Sequence, residues 1–328
     1  MDSKSLPKIE LHLHLDCSLR WKVVRRFDPA VTESFFEKNF KAPAKCLDLP
    51  DFLACAQQGI QYLQTADQLQ AVTLDLLEQL KEEGVLYSEI RFAPYEHIRR
   101  GLSPEAVVEA VLTALEEGQH TSGIRAGLLL CTLRELPSGP SLHTAQLAVR
   151  YRDQGVVGFD IAGNEADFPV EPHVEAFRHA RENGVPCIAH AGEARGAEGI
   201  WEVLRGYQVE RLGHGVRCIE DERLVEYLVD RQIHLEVCPS SNIQTNVFDT
   251  IADHPVDRLF RAGISLGINT DSRTLTNTTL EREYDLLERQ FGWGKKEFLQ
   301  CNLQALEHAF LPEGEKDHFR AHLRQAYQ

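Results

Sequence analysis

The chain has 328 residues, 43% hydrophobic and 26% charged, which is the composition of an ordinary globular protein. Its net charge of -15 argues against nucleic acid or an anionic membrane as a partner and favours a small-molecule substrate. No apolar run is long enough to span a membrane, Met1 to Lys8 lacks the apolar core of a secretory signal, and the eight cysteines form no Cys-x-x-Cys pair. We therefore expect a cytoplasmic protein whose thiols are reduced.

Eight short apolar segments predict strands, and most of them precede an amphipathic stretch that predicts a helix. The predicted strands are Ile9–Asp16, Leu86–Pro94, Arg125–Leu133, Val156–Gly163, Val185–Ala191, Arg211–Val216, Ile233–Pro239 and Ile264–Asp271. The predicted helices include Ala66–Glu83, Pro104–Glu117, Leu142–Gln154, Pro172–Asn183, Ala197–Gly206 and Asp221–Arg231. This alternation predicts an α/β fold, a closed (β/α)8 TIM barrel, with residues 1–328 in one domain. A doubly wound open sheet is the alternative, but no Gly-x-Gly-x-x-Gly follows a strand.

The connection after the first strand is unusually long, and its residues 30–65 predict a helical insertion. This stretch carries the aromatic residues Phe35, Phe36, Phe40, Phe52 and Tyr62. An insertion at this point lies at the barrel mouth, where it could form a mobile apolar lid or pack as extra helices on the barrel. Residues 295–328 predict C-terminal helices that close the barrel.

The first strand carries two histidines in a pattern that suits metal binding. From Ile9 to Asp16 the odd positions are aliphatic and the even positions are polar, so His12 and His14 lie on one face of the strand. Both imidazoles can then reach one ion. An isolated His-x-His is more often part of a half-buried strand, so the remaining strand ends decide between the two interpretations.

The chemistry of such barrels is built at the C-terminal ends of the strands, and polar residues stand at several of them. The fifth strand ends in His190-Ala191-Gly192-Glu193, the sixth in Gly213-His214-Gly215 and the eighth in Asn269-Thr270-Asp271. Three histidines and an aspartate from strands one, five and eight predict a mixed nitrogen and oxygen site with room for water, as in catalytic zinc centres.

One zinc ion per chain is the better prediction. Two-metal barrels of this kind usually bridge their ions with a carboxylated lysine, and the sequence contains no lysine between Lys81 and Lys295. Asp160 and Glu236 are candidates for carboxylates that hold the histidines from behind, although polar core residues satisfied by other partners would look the same.

Together these motifs resemble the adenosine deaminase family of the amidohydrolases. The matching segments are Pro7–Asp16, Val157–Gly163, His190–Glu193, Gly213–Gly215, Cys238–Asn242 and Asn269–Asp271, and the resemblance extends from Leu6 to about Leu287. It implies a zinc-dependent hydrolytic deaminase of a 6-aminopurine nucleoside. The simplest substrates are adenosine and deoxyadenosine, which would give inosine and deoxyinosine plus ammonia.

The resemblance also implies a role for each matching residue. The zinc ligands would be His12, His14, His190 and Asp271, and zinc lowers the pKa of its water from 15.7 to about 7. Glu193 would be the general acid that protonates purine N1, His214 would orient the attacking water and stabilise the oxyanion, and Asp271 would accept a hydrogen bond from that water. Residues implied to contact substrate are His14, Asp16, Gly163 and Ser272, with Asp16 holding a ribose hydroxyl and the Gly163 backbone lying against the purine.

Two departures from the family pattern concern specificity. Ser272 stands where the family usually has an aspartate that accepts a hydrogen bond from purine N7, and Cys17 stands where it usually has glycine. Adenine, an N6-substituted AMP and 6-aminodeoxyfutalosine therefore remain alternative substrates. An ester or amide hydrolase is a second class, against which Glu193 argues. A catalytically inactive metal-binding protein is a third, against which the complete set of site residues argues.

Overall fold

The computed structural model describes residues 3–328, and in that range eight parallel strands are surrounded by helices. The strands are β1 (Lys8–His14), β2 (Val85–Phe92), β3 (Arg125–Leu133), β4 (Val156–Ala162), β5 (Ala189–Ala191), β6 (Arg211–His214), β7 (His234–Val237) and β8 (Leu266–Ile268). The helices are α1 (Trp21–Phe27), α2 (Glu33–Asn39), α3 (Leu49–Ile60), α4 (Ala66–Glu82), α5 (Pro104–Ser122), α6 (Ser138–Tyr151), α7 (Val174–Glu182), α8 (Ala197–Tyr207), α9 (Glu222–Asp230), α10 (Pro239–Gln244), α11 (Val256–Arg261), α12 (Leu280–Phe291), α13 (Lys295–His308) and α14 (Glu313–Ala326).

The strands close into a barrel, as the sequence predicts. Strands β1 to β4 pair in order, and β5 to β8 pair in order. A parallel bridge between Phe159 and Cys187 joins the two halves on one side. On the other side the His14 amide donates to the Asp271 carbonyl at 2.8 Å, and the Asp271 amide donates to the His12 carbonyl at 2.9 Å. The (β/α)8 architecture is confirmed, while a single domain over residues 1–328 stays a prediction.

Strands β5 to β8 are all shorter than predicted, and β5 and β8 differ most from the prediction, with three residues each. The segment before β5 contains Pro186, which has no amide proton to donate to a neighbouring strand. At β8, the Asn269 side-chain Oδ1 accepts hydrogen bonds from the amides of Leu11, at 2.8 Å, and His12, at 3.1 Å. A side chain therefore bonds β1 to the end of β8 where the alternating pattern had predicted backbone pairing.

The insertion after β1 packs partly on the barrel and partly across its mouth. Phe36 and Phe40 are buried in the main core with their ring centroids 4.6 Å apart, so α2 packs as an extra helix on the barrel. Helix α3 instead crosses the barrel mouth, where Phe52 belongs to a second buried cluster with Leu275 from the loop after β8. The mobility of this segment stays a prediction.

The C-terminal helices and the thiols agree with the sequence analysis. Residues 295–328 contain α13 and α14, and the Asn302 side chain on α13 accepts a hydrogen bond from the Ile9 amide at 2.7 Å. All eight cysteines are free thiols, and six of them are buried. Within residues 3–328 the helices are too short or too polar to cross a membrane.

Candidate active site

Three histidines and an aspartate meet at the C-terminal end of the barrel, as their positions at strand ends predict. His14 Nε2 lies 3.2 Å from His190 Nε2 and 3.3 Å from Asp271 Oδ1, and His12 Nε2 lies 3.5 Å from the same carboxylate oxygen. A tetrahedral ion with bonds of about 2.0–2.1 Å separates its ligand atoms by roughly 3.4 Å. The four side chains are therefore spaced as ligands of one ion.

The state of the ring nitrogens also fits a metal ion. His12 Nε2 is buried and has no hydrogen-bond partner in the described part of the chain, which is costly unless another group satisfies it. Burial lowers the pKa of His14 to about 3, so the imidazole is neutral and keeps the lone pair that a metal requires. Two groups of side chains that share His12 could thus hold a metal ion, one with His14 and His190 and the other with His214 and Asp271.

A buried network of ion pairs contacts the Nδ1 atoms of two of these histidines. Glu236 Oε2 lies 2.9 Å from His12 Nδ1, and Asp160 Oδ2 lies 3.3 Å from His190 Nδ1. The Arg91 guanidinium bridges these two carboxylates, with 2.6 Å to each, and Arg211 contacts Glu236 on its other oxygen. Asp160 and Glu236 are therefore the partners of the histidines that the sequence analysis left undecided.

The arginines determine the charge of this network. Burial alone would raise the pKa of Glu236, but the adjacent guanidiniums of Arg91 and Arg211 hold it well below its ordinary value. A carboxylate kept ionised behind His12 orients the ring and raises its basicity toward a metal. The sequence does indicate a buried charge at Arg91, because this residue lies between Ile90 and Phe92 in a buried strand.

The backbone at the site adopts conformations that most residues avoid. His214 and Asp271 both have φ of 61°, in the left-handed region where residues other than glycine are uncommon. Gly213 leaves room for the rings beside it, because a Cβ there would lie 2.8 Å from His12 Cε1 and 3.2 Å from His190 Cγ. Gly213 thus allows close packing against the histidine cluster. His214, the next residue, holds its imidazole on a strained backbone.

Glu193 places a buried carboxyl group beside this cluster. Its Oε2 lies 3.6 Å from His214 Nε2. Burial raises the pKa of Glu193 well above its ordinary value, and the charges of Asp271 and Glu165 raise it further. A raised pKa favours the protonated form, which is the form that a general acid requires.

Glu165 fixes the loop that carries Glu193, a role that no pattern in the sequence indicates. Its carboxylate accepts hydrogen bonds from four consecutive amides, those of Gly192 to Arg195, at 2.8 to 3.2 Å. Successive amides that converge on one anion form a rigid nest. Glu165 thus positions the acid loop and places a negative charge near Glu193.

Two adjoining cavities lead to the cluster. The inner one, of about 60 Å³, is lined by His14, Glu193, His214, Asp271 and Ser272 on the barrel side and by Leu49, Phe52, Leu53 and Ala56 of α3. The outer chamber, of about 260 Å³, shares His14, Cys17, Leu53, Ala56, Ala162 and Gly163 with it. Helix α3 of the insertion therefore forms a wall of the site.

The predicted substrate-binding residues line these cavities. Asp16 lines the outer chamber, with its Oδ2 3.5 Å from His97 Nε2. Burial would raise the pKa of Asp16, but His97 overcomes this effect and lowers it, so Asp16 is a carboxylate. Gly163 has φ of 94°, and a Cβ there would lie 2.2 Å from Glu135 Oε2. Ser272 lines the inner cavity, with its Oγ 3.4 Å from Asp271 Oδ1.

Comparison with known proteins gives a consistent result over the full length of the chain. The sequence model of the family described as adenosine deaminase matches residues 7–326. An adenosine deaminase of Clostridium acetobutylicum is 36% identical over 318 residues, which cover 94% of this chain and 94% of that protein.

Solved structures share the fold. The adenine deaminase of Arthrobacter aurescens superimposes with a TM-score of 0.90 at 25% identity and covers 98% of this chain and 99% of its own. The N6-methyl-AMP deaminase of Arabidopsis thaliana superimposes with a TM-score of 0.86 at 26% identity and covers 98% of both chains. These relatives and neighbours are named for three different substrates, adenosine, adenine and N6-methyl-AMP.

Proposed function

Because the chain belongs to the adenosine deaminase family, we propose that it deaminates adenosine and deoxyadenosine to inosine and deoxyinosine with release of ammonia. Family membership makes it a hydrolytic deaminase of small purines. The observation that carries the assignment is the buried carboxyl group of Glu193, whose pKa burial raises, beside the cluster of His12, His14, His190 and Asp271. A carboxylic acid in that position suits the protonation of a ring nitrogen.

We assign zinc as the metal, since a mixed set of imidazoles and one carboxylate with an open position is typical of catalytic zinc. His12, His14, His190 and Asp271 would hold it. Bound there, zinc supplies a water molecule whose pKa is lowered to about 7.

The protein's own residues then move the protons. Glu193 donates its proton to purine N1, which makes C6 electrophilic enough for water to add. Asp271 accepts a hydrogen bond from that water, and His214 donates one to the oxygen that gains negative charge at C6. As the water adds, it gives one proton to Asp271, which passes it to the amino nitrogen. When the bond from C6 to that nitrogen breaks, ammonia leaves, the hydroxyl proton at C6 returns to Glu193, and the 6-oxopurine keeps the proton on N1.

The charge of the outer chamber favours a nucleoside over a nucleotide. Asp16, Glu96 and Glu135 line it, and no lysine or arginine is among its lining residues in the described chain. Arg99 pairs with Glu96 and His97 lies beside Asp16, but Glu135 has no ion-pair partner within residues 3–328. A phosphate or carboxylate placed there meets like charges, which costs several kcal/mol. Adenosine therefore fits better than AMP, N6-methyl-AMP or 6-aminodeoxyfutalosine, which carries a carboxylate.

The test is a substrate panel measured by the loss of absorbance near the adenine maximum. With zinc-loaded protein we expect adenosine and deoxyadenosine to be the best substrates, with kcat/KM for AMP and N6-methyl-AMP lower by about 100-fold or more. Glu135→Gln should raise the ratio of AMP to adenosine turnover by removing one of the repelling charges. A nucleotide as the best substrate would contradict the charge argument, and free adenine as the best substrate would contradict a role for the outer chamber.

A further inference from the structure

A chain of buried hydrogen bonds extends from His214 away from the cavity. His214 Nδ1 lies 3.0 Å from Asn242 Nδ2, and Asn242 Oδ1 lies 3.1 Å from His254 Nε2. His254 Nδ1 in turn accepts a hydrogen bond from the Val256 amide at 3.2 Å. His214, Asn242 and His254 are all almost completely buried, so solvent does not compete for these bonds.

The direction of every bond in this chain is fixed by its far end. A backbone amide can only donate, so His254 Nδ1 must present a lone pair to Val256. Burial lowers the pKa of His254 to about 3, and the neutral ring then carries its single proton on Nε2. That N–H donates to the Asn242 oxygen, because the amide nitrogen of Asn242 would oppose one donor with another.

The orientation of the Asn242 amide determines which ring nitrogen of His214 carries the proton. With its oxygen turned to His254, Asn242 presents its NH2 group to His214 Nδ1. His214 must therefore accept at Nδ1, and the neutral ring carries its proton on Nε2. This is the nitrogen that lies 3.6 Å from Glu193 Oε2 at the inner cavity.

We propose that Val256, His254 and Asn242 form a relay that fixes His214 as an Nε2–H donor toward the reacting carbon. The catalytic consequence rests on the proposed function: His214 donates to the oxygen that adds to the purine and cannot remove a proton from water. Asn242 and His254 are positioning residues in this account. Helix α10, which carries Asn242, also contacts the site through Ser241, whose hydroxyl donates a hydrogen bond to Asp271 Oδ2 at 2.6 Å.

Asn242→Asp tests the relay, because it changes one nitrogen to oxygen at nearly constant shape. A carboxylate would accept from both histidines, so His214 would move its proton to Nδ1 and present a lone pair to the cavity. We expect kcat for adenosine to fall by about 10²–10³-fold, the usual effect of losing one such donor. Zinc content should be unchanged, since Asn242 contacts none of the four ligands. If His214 were a general base, a carboxylate partner would assist it, so an unchanged or higher kcat would overturn the proposal.

A second measurement does not depend on turnover. Ring 15N NMR of histidine-labelled protein reports which nitrogen of His214 carries the proton, with the signal assigned by its absence from His214→Gln. We expect Nε2–H in the unmodified protein and Nδ1–H in Asn242→Asp, and Nδ1–H in the unmodified protein would overturn the relay even if adenosine is not the substrate. Asn302→Asp, a change at a buried asparagine on α13, controls for the cost of a buried carboxylate and should keep both the His214 signal and kcat.

Discussion

Glu193→Gln is expected to retain its metal and to lose turnover of adenosine by about 10²–10⁴-fold, the contribution of a general acid. The amide has nearly the same shape as the carboxyl group but does not release a proton to purine N1. Metal content is expected to stay constant, because Glu193 lies beside His214 and not among His12, His14, His190 and Asp271. The measurements are steady-state kinetics and elemental analysis of the same sample. Turnover equal to that of the unmodified protein would remove the general-acid assignment.

The pH dependence gives an independent check on the same residue. Burial and neighbouring carboxylates raise the pKa of Glu193, and the protonated form is the active one. Activity is therefore present below that pKa and lost as pH rises through it, which places an alkaline limb in the profile of kcat. Glu193→Gln should lose that limb. Glu198→Gln, the same substitution at an exposed site on α8, should keep both rate and profile.

His12→Ala is expected to have the second large effect, on the metal itself. The change removes a ligand whose Nε2 is otherwise unsatisfied and leaves Glu236 and Arg91 facing a cavity. Loss of a residue that hydrogen-bonds to a metal ligand typically weakens metal affinity by about 10–100-fold. Loss of the ligand itself should weaken the affinity more. Zinc per chain after dialysis should fall close to zero, and deaminase activity should fall with it.

A matched control separates metal loss from cavity formation. His234 is also fully buried, but its Nδ1 lies 2.9 Å from Ser265 Oγ at the other end of β7, and its ring stacks on His308. His234→Ala therefore creates a similar cavity and should retain zinc. Unchanged zinc content in His12→Ala would show that the proposed ligand set is wrong.

The sequence was informative where a local pattern decides the structure. Alternation from Ile9 to Asp16 predicted that His12 and His14 share one face, and both Nε2 atoms lie within 3.5 Å of Asp271 Oδ1. Strand ends also placed His190 and His214 correctly, because parallel strands of a barrel bring their C-terminal ends together. Shifts of a few residues at β5 and β8 did not change which side chains meet.

Residues that act through distant contacts could not be predicted in this way. Glu165 contacts the amides of a loop 27 to 30 positions away, and no spacing rule connects them. The same is true of His97, which holds Asp16 from the loop after β2, and of His254 in the relay. The direction of the relay depends on one backbone amide, that of Val256, which the amino-acid sequence does not distinguish from any other.

One measurement tests metal-dependent hydrolytic deamination at this cluster most directly. Metal-free and zinc-reconstituted protein are incubated with adenosine, and inosine and ammonia are quantified together. We predict that the zinc-reconstituted protein forms both products in equal amounts while the metal-free protein is inactive. Adenosine left unchanged by the zinc-loaded protein, or converted equally well without metal, would contradict the account.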